Sequence, residues 1–120
     1  MSRDHRKLRV FVLADSLATS IYLATNTFPA AERFGLQIQL RRAAVSVSVN
    51  IVEGSARRSR SEYLHFLNIA AGSAAEAHYL VDLSSRLGFL CEVEGQALWT
   101  QYLELAAGLR ALIRALSREP

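Results

Sequence analysis

The sequence is poor in the residues that cross-link or interrupt a chain. It has one cysteine, Cys91, and two prolines, of which only Pro29 is internal. A single cysteine cannot form an internal disulfide, which favours a reducing, cytoplasmic setting. With no Asn-Gly or Asp-Gly turn and one internal proline, the sequence is unsuited to a many-stranded β fold. It favours long helices with few breaks.

Long hydrophobic runs are also missing. After the basic residues 1–7, the apolar residues 10–13 are followed by Asp15 and Ser16 without a cleavage pattern, so no signal peptide is predicted. No charge-free apolar stretch is long enough to span a membrane, and we expect no membrane partner. Because the chain has 120 residues, 51% of them hydrophobic, we predict a single globular domain over residues 1–120.

Apolar residues spaced three and four apart predict helices along the first half of the chain. The first helix is predicted to end near residues 25–27, because a proline disfavours helical geometry in the residue before it. The second helix is predicted to begin between Pro29 and Glu32, since proline suits a first turn and a carboxylate suits the positive end of a helix. It should run to about residue 57.

The same spacing predicts two helices in the second half. Ser59 and Glu62 fit a capping box, which opens a third helix that runs to about residue 87. Gly88 suits the left-handed position that ends a helix. A fourth helix is predicted to begin between Glu92 and Gly95. Its apolar residues form two adjacent lines, and this wide stripe predicts either contact with a second partner or deeper burial in its own bundle.

The segment 44–51 is ambiguous, because valine and serine alternate along it as they would in a half-buried strand. However, Leu36, Leu40, Val47 and Ile51 also fall on one helical face. No turn separates this segment from the helical stretch before it, and the chain offers no second strand to pair with it. The segment is therefore predicted to be helical. With short links, the fold is predicted to be all-α, an antiparallel up-down-up-down four-helix bundle.

The sequence contains little that indicates catalysis or metal binding. Glu62 and His65 form one Glu-x-x-His motif, whereas a di-iron bundle needs two such motifs and two more carboxylates. Glu92 and Glu94 follow Cys91 and disfavour its thiolate. No nucleophile elbow or phosphate-binding loop occurs. We predict no cofactor, no metal site and no enzymatic activity.

A stripe of polar residues runs along one face of the second helix. Serine and asparagine are poor helix formers, so a partly buried hydrogen-bond network explains the stripe better than a solvated face, which remains the alternative. Ser73 and Glu76 interrupt an apolar line on the third helix and could meet this stripe. The predicted structural polar network consists of Gln39, Ser46, Asn50, Glu53, Ser73 and Glu76, with Arg42 on the same stripe.

Positive charge is concentrated in the first half of the chain. Residues 1–60 carry ten Lys and Arg against four Asp and Glu, whereas residues 61–120 carry four against seven. Arginines at a helix–helix corner can hold phosphates through forked hydrogen bonds, although a solvated turn would look the same. The candidate nucleic-acid-binding residues are the corner residues Arg57, Arg58 and Arg60, with Arg41 and Arg42 upstream.

Several long segments together resemble one bacterial family. They are residues 27–29, 32–36, 39–43, 46–54, 62–70 and 72–76. The family consists of four-helix bundle proteins first noted as encoded in intervening sequences of 23S ribosomal RNA genes. The accessory protein of diversity-generating retroelements is a related branch. The resemblance covers roughly residues 10–115, and its most specific part is the pattern formed by Gln39, Arg42, Ser46, Asn50 and Glu53-Gly54.

The resemblance implies a helical segment 44–51, a ring-shaped homopentamer, and a role in binding RNA or DNA without enzymatic activity. Two functional hypotheses follow. In the first, an oligomeric module binds nucleic acid through its arginine-rich corner, independently of base sequence. In the second, the chain is a protein-interaction scaffold for an operon-encoded protein partner such as a reverse transcriptase.

Overall fold

The computed structural model describes residues 3–118, and the helices dominate this part of the chain. It contains the α-helices α1, Arg9–Thr25; α2, Leu36–Ser55; α3, Arg60–Arg86; and α4, Glu92–Ser117. Two 3₁₀ turns, His5–Lys7 and Ala30–Glu32, precede α1 and α2. The described residues contain no strand, so the all-α prediction is confirmed.

The four helices form a rod of about 49 × 22 × 19 Å. Each helix contacts its two neighbours in the order α1, α2, α3, α4 and back to α1, which confirms the helical bundle. At one end the two links 26–35 and 87–91 meet, with the rings of Phe28 and Phe89 5.5 Å apart. The other end holds the beginning of α1, the turn between α2 and α3, and the end of α4.

The valine-and-serine segment is helical and lies inside α2. Val47 and Ile51 are fully buried, whereas Val49 is half exposed, so the helical face rather than the strand-like alternation decides which residues enter the core. The predicted start of α2 is wrong by several residues. A 3₁₀ turn occupies residues 30–32, and the helix begins only at Leu36. The carboxylate of Glu32 accepts the Leu36 N–H at 3.0 Å, so it caps the helix from outside.

Both predicted ends of α3 are confirmed. The Ser59 hydroxyl accepts the Glu62 N–H at 3.1 Å and donates to the Glu62 carboxylate at 3.0 Å. Gly88 takes a φ of +80°, and the N–H groups of Gly88 and Phe89 bond to the carbonyls of Ser85 and Ser84. This pair of bonds is a Schellman motif, which needs a left-handed residue at the position of Gly88.

The buried face of α3 differs from the line that carries Ser73 and Glu76. That line is half-buried at Phe66 and exposed at Ile69 and Glu76. The core instead receives the neighbouring line of mostly small residues, because alanines let the helix axes approach closely. The buried residues of α3 are Tyr63, Leu67, Ala70, Ala74, Ala77, Leu80, Val81 and Ser84.

The two apolar lines of α4 are buried to different depths. Leu98, Tyr102, Leu105 and Leu109 are buried in the core. The second line, Trp99, Ala106 and Ile113, is half-buried within the same bundle. Much of the wide stripe is therefore covered by the chain's own helices.

Candidate functional site

The arginine-rich corner connects α2 to α3. Arg57 donates to the Glu53 carboxylate at 3.1 Å, and its guanidinium lies 4.8 Å from the centre of the Phe66 ring. Arg58 is exposed in the turn. Arg60 is half-buried as the first residue of α3. The corner therefore combines one arginine that is held by the fold with one that projects into solvent.

The N-terminal segment covers this corner. The Arg3 N–H donates to the Ser55 carbonyl at 2.9 Å, and the Arg3 guanidinium donates to the Arg57 carbonyl at 3.3 Å. The same guanidinium lies 4.3 Å from the centre of the Tyr63 ring. Arg3 thus satisfies the Ser55 carbonyl at the end of α2 and the Arg57 carbonyl in the turn that follows it. Burial raises the pKa of Tyr63, against the lowering effects of the Ser55 hydroxyl and of Arg3.

A short turn connects this segment to α1. The Asp4 carboxylate caps the 3₁₀ turn by accepting the Arg6 N–H at 3.1 Å, and it also pairs with the Arg6 guanidinium at 3.0 Å. These hydrogen bonds from Arg6 lower the pKa of Asp4. The turn therefore fixes the position of the basic N-terminal residues beside the corner.

Cations from three parts of the chain converge on this end of the bundle. The antiparallel topology brings the N-terminal segment, the corner and the last turns of α4 together. The cations of the N-terminal segment and of α4 were not predicted as part of the site. The basic run before α1 and the even number of helices, both visible in the sequence, could have indicated them. We call this region the basic end; its cations are Arg3, Arg6, Lys7, Arg9, Arg57, Arg58, Arg60, Arg110, Arg114 and Arg118.

The two ends of the rod carry equal numbers of the acidic residues named here, so the difference in their charge comes from the cations. The basic end contains Asp4, Glu53, Glu62 and Glu104. The opposite end carries two cations, Arg33 and Arg86, and the acids Glu32, Asp82, Glu92 and Glu94. The rod therefore has a strongly positive end and a weakly negative end.

Arg41 does not join the corner, because it lies near the start of α2. The helix rise puts it about 24 Å from Arg57 along the axis. Its guanidinium donates to the Thr25 hydroxyl at 2.8 Å, to the Asn26 side chain at 3.0 Å and to the Tyr22 carbonyl at 3.2 Å. Arg41 thus holds the end of α1.

Arg42 is the exposed neighbour of Arg41 on α2. It lies on the same distant part of the helix, so the two arginines form a separate group from the corner. Their role in nucleic-acid binding stays a prediction.

Part of the polar stripe bridges α2 and α3. The hydroxyls of Ser46 and Ser73 lie 2.7 Å apart in a half-buried hydrogen bond. The Asn50 amide donates to the Ser46 carbonyl at 2.8 Å and to the Ser46 hydroxyl at 3.1 Å. These three residues form a connected polar group at the surface between the two helices.

The other members of the predicted network lie outside this group. Gln39 and Glu76 are exposed, and neither makes a side-chain hydrogen bond to another residue within 3–118. Glu53 is exposed and pairs with Arg57. The structure thus connects Ser46, Asn50 and Ser73 and leaves the remaining three apart.

Comparison with known proteins identifies the family. Residues 6–111 match the model of the 23S rRNA-intervening sequence protein family. The chain belongs to this family. A crystal structure of a protein of unknown function from the S23 ribosomal protein family of Bacteroides thetaiotaomicron is similar, with a TM-score of 0.79 and 24% identity. The match covers 88% of this chain and 95% of that one and supports the fold. No curated protein matches the sequence.

This member of the 23S rRNA-intervening sequence protein family has a shallow apolar groove between α1 and α4. The groove has a volume of about 500 Å³ and begins beside the basic end. Gly108 lies on its floor, where an added Cβ would come within 2.9 Å of the Val10 side chain. The apolar residues that line the groove include Leu8, Val10, Leu13, Leu105 and Leu112.

Exposed apolar side chains concentrate at the end opposite the basic end. Phe34 is 88% exposed and Val93 is 82% exposed, and Leu23 and Leu87 are more than half exposed. All four lie at helix ends or in the links of that end. We call this region the apolar end.

The described residues of this family member contain no group of three or more His, Cys, Asp and Glu side chains able to hold a metal ion. Glu62 accepts from Ser59, and His65 contacts the Phe66 ring at 5.3 Å. Cys91 is exposed before α4. No helix within residues 3–118 is long and apolar enough to cross a membrane.

Proposed function

We propose that this chain is a non-enzymatic helical module that binds RNA or DNA through its basic end without reading base sequence. The supporting observation is the convergence of cations from three chain segments on one end of the bundle. Guanidinium groups hold phosphates through paired, charge-assisted hydrogen bonds. Contacts to phosphates fix position without carrying base information.

The local charges support this proposal. Asp4 and Glu53 are paired with Arg6 and Arg57. Lys7, Arg58 and Arg114 are exposed and have no ion pair among the described residues. Each comes from a different segment of the basic end. A polyanion that approaches this end would therefore meet several uncompensated cations at once.

We also propose that the chain acts in the cytoplasm as a homo-oligomer, and the family resemblance implies a pentamer. The groove between α1 and α4 is an apolar surface that a second copy could cover. A ring would repeat the basic end on each subunit, and repeated weak phosphate contacts would gain affinity through effective concentration. Size exclusion coupled to light scattering tests this state, and a monomer at all concentrations would contradict it.

Fluorescence anisotropy tests nucleic-acid binding directly. We expect binding at about 50 mM salt that weakens by roughly fortyfold at about 200 mM, as expected for three phosphate contacts. The triple change Lys7→Ala, Arg58→Ala and Arg114→Ala should reduce the slope of log affinity against log salt by about three. The change Arg33→Ala at the opposite end is the matched control and should leave binding unchanged. Absence of binding at low salt, or equal binding by the triple variant, would refute the proposal.

The apolar end favours a second candidate function, that of a scaffold for an operon-encoded protein partner such as a reverse transcriptase. Solvent-exposed Phe34 and Val93 are typical of a protein-binding surface. Co-purification with a protein encoded beside this chain tests the idea. The changes Phe34→Ser and Val93→Ser should abolish that association, and an association that survives them would exclude the apolar end as its site.

A further inference from the structure

The aromatic rings at the basic end are occupied by the protein's own side chains. Tyr63 is 2% exposed, and the Arg3 guanidinium covers its ring. The Arg57 guanidinium covers the ring of Phe66. Each guanidinium group therefore covers one face of the ring that it contacts.

The remaining rings at the basic end also have partners. The ring of Phe11 meets the His5 imidazole edge-on at 4.7 Å. The exposed imidazole of His65 contacts Phe66 at its edge. Within residues 3–118, His65 is thus the one ring at this end that is largely open to solvent.

Three other exposed aromatic rings lie elsewhere on the rod. Phe34 belongs to the apolar end, and Tyr79 lies in the last third of α3. Tyr22, near the end of α1, lies under the Arg41 guanidinium, 4.6 Å from its ring centre. The cations of the basic end are therefore separated along the bundle from these three exposed rings.

This separation bears on whether the basic end binds single-stranded or double-stranded nucleic acid. Proteins that bind single strands combine a cationic groove with aromatic platforms, on which each stacked base contributes about 1–3 kcal/mol. At a surface that has cations but no aromatic platforms, the affinity for nucleic acid depends on the density of phosphates alone. A double helix carries about one charge per 1.7 Å of its axis, twice that of one strand.

We propose that the basic end binds double-helical nucleic acid in preference to single strands, an inference that rests on the proposed function. The cross-section of the bundle, 22 × 19 Å, would span about six base-pair steps of roughly 3.4 Å. Lys7, Arg58 and Arg114 contact the phosphates. Arg3 and Arg57 are positioning residues, because their guanidinium groups are held by a carbonyl, a carboxylate and aromatic rings of the protein.

The test compares one duplex of about 20 base pairs with its two separated strands, as DNA and as RNA, at about 50 mM salt by fluorescence anisotropy. The strands are chosen without self-complementarity. We expect each duplex to bind at least about tenfold more tightly than either of its strands, because only charge density distinguishes them at this surface. The triple variant described above should lose most of this difference, and Arg33→Ala should keep it.

The outcomes separate this inference from the proposed function. Single strands that bind as tightly as the duplex would overturn the duplex preference and leave nucleic-acid binding intact. A preference seen for RNA duplexes but not for DNA duplexes would overturn the argument from charge density. Absence of binding to every probe would overturn both proposals.

Two further variants test the absence of base stacking. His65→Ala and Phe66→Leu remove the accessible imidazole and the covered ring, and neither should change the affinity for single strands by more than about twofold. A loss of roughly tenfold or more would correspond to at least one stacked base and would contradict the inference. Circular dichroism of each variant confirms that the helices are retained.

Discussion

Replacing Gly54 should destabilise the protein because the end of α2 packs directly on the first turns of α3. A Cβ at this position would lie 3.0 Å from the Phe66 Cβ and 3.0 Å from Cδ1 of the Tyr63 ring. Neither atom is the free end of a flexible side chain, and Tyr63 is fully buried. Overpacking of this kind costs about 1–3 kcal/mol. In a helix interior, alanine is more favourable than glycine by about 1 kcal/mol. Because Gly54 lies in the last turn of α2, its replacement by alanine gains less than this amount.

Gly72 provides the matched control. It lies in the middle of α3, exposed, and an added Cβ would have nothing within 4 Å. Gly72→Ala should therefore stabilise the protein by about 1 kcal/mol through helix propensity alone. Gly54→Ala should destabilise it by about 1–2 kcal/mol.

Urea unfolding at a fixed protein concentration, followed by circular dichroism, measures both free energies of unfolding. A fixed concentration is needed because any association shifts the apparent stability. Trp99, the only tryptophan, provides a second optical signal from the α3–α4 interface, where its ring lies 4.9 Å from that of His78. If Gly54→Ala stabilised the protein as much as Gly72→Ala, the close approach of α2 and α3 would be refuted.

Three further predictions concern single residues. Ser73→Ala removes the bridge to Ser46 and should lower the free energy of unfolding by about 1 kcal/mol, and no change in urea would contradict a contribution of this bond. Tyr102→Phe should raise stability by about 1 kcal/mol, because the Tyr102 hydroxyl is buried without a partner among the described residues. Burial raises the pKa of Tyr102, so the unfolded chain loses the hydroxyl proton at a lower pH than the folded protein does. Above about pH 10 the stability of the wild type should therefore fall more steeply than that of Tyr102→Phe. Parallel pH profiles of the two proteins would refute this. Arg41→Ala should lower the free energy of unfolding by about 1–3 kcal/mol, because it removes hydrogen bonds to the end of α1. Arg42 is exposed, so Arg42→Ala should change this free energy by no more than about 0.5 kcal/mol in thermal unfolding. Equal effects of the two changes would refute the role given to Arg41.

Helix spacing in the sequence was enough to predict the fold. The buried residues of α1 and the buried face of α2 follow spacings of three and four, and this periodicity outweighed the strand-like alternation of valine and serine. Local capping chemistry at Ser59 and Gly88 placed the ends of α3. The start of α2 could not be placed in the same way, because Glu32 caps the helix through its side chain across a 3₁₀ turn. Such a cap depends on the path of the whole link rather than on one residue type.

The candidate site was only partly predictable. The corner of Arg57, Arg58 and Arg60 is contiguous in sequence and was therefore visible. The contribution of Arg3 was not visible, because its contacts with Ser55 and Tyr63 join residues more than fifty positions apart and depend on the folded bundle. Arg41 was predicted as an upstream member of the site, and the length of α2 separates it from the corner by several turns.

The uneven distribution of charge along the rod determines the orientation in which the molecule approaches a charged surface. Ten basic side chains lie at one end of a body about 49 Å long, and acids outnumber bases at the other end. This arrangement gives the molecule a permanent electric dipole along its long axis. The field of a charged surface rotates such a molecule before the two come into contact. Near any extended anionic surface, including a cation-exchange resin, the bundle should stand upright. Phe34 and Val93 would then face away from that surface, at the far tip of the molecule.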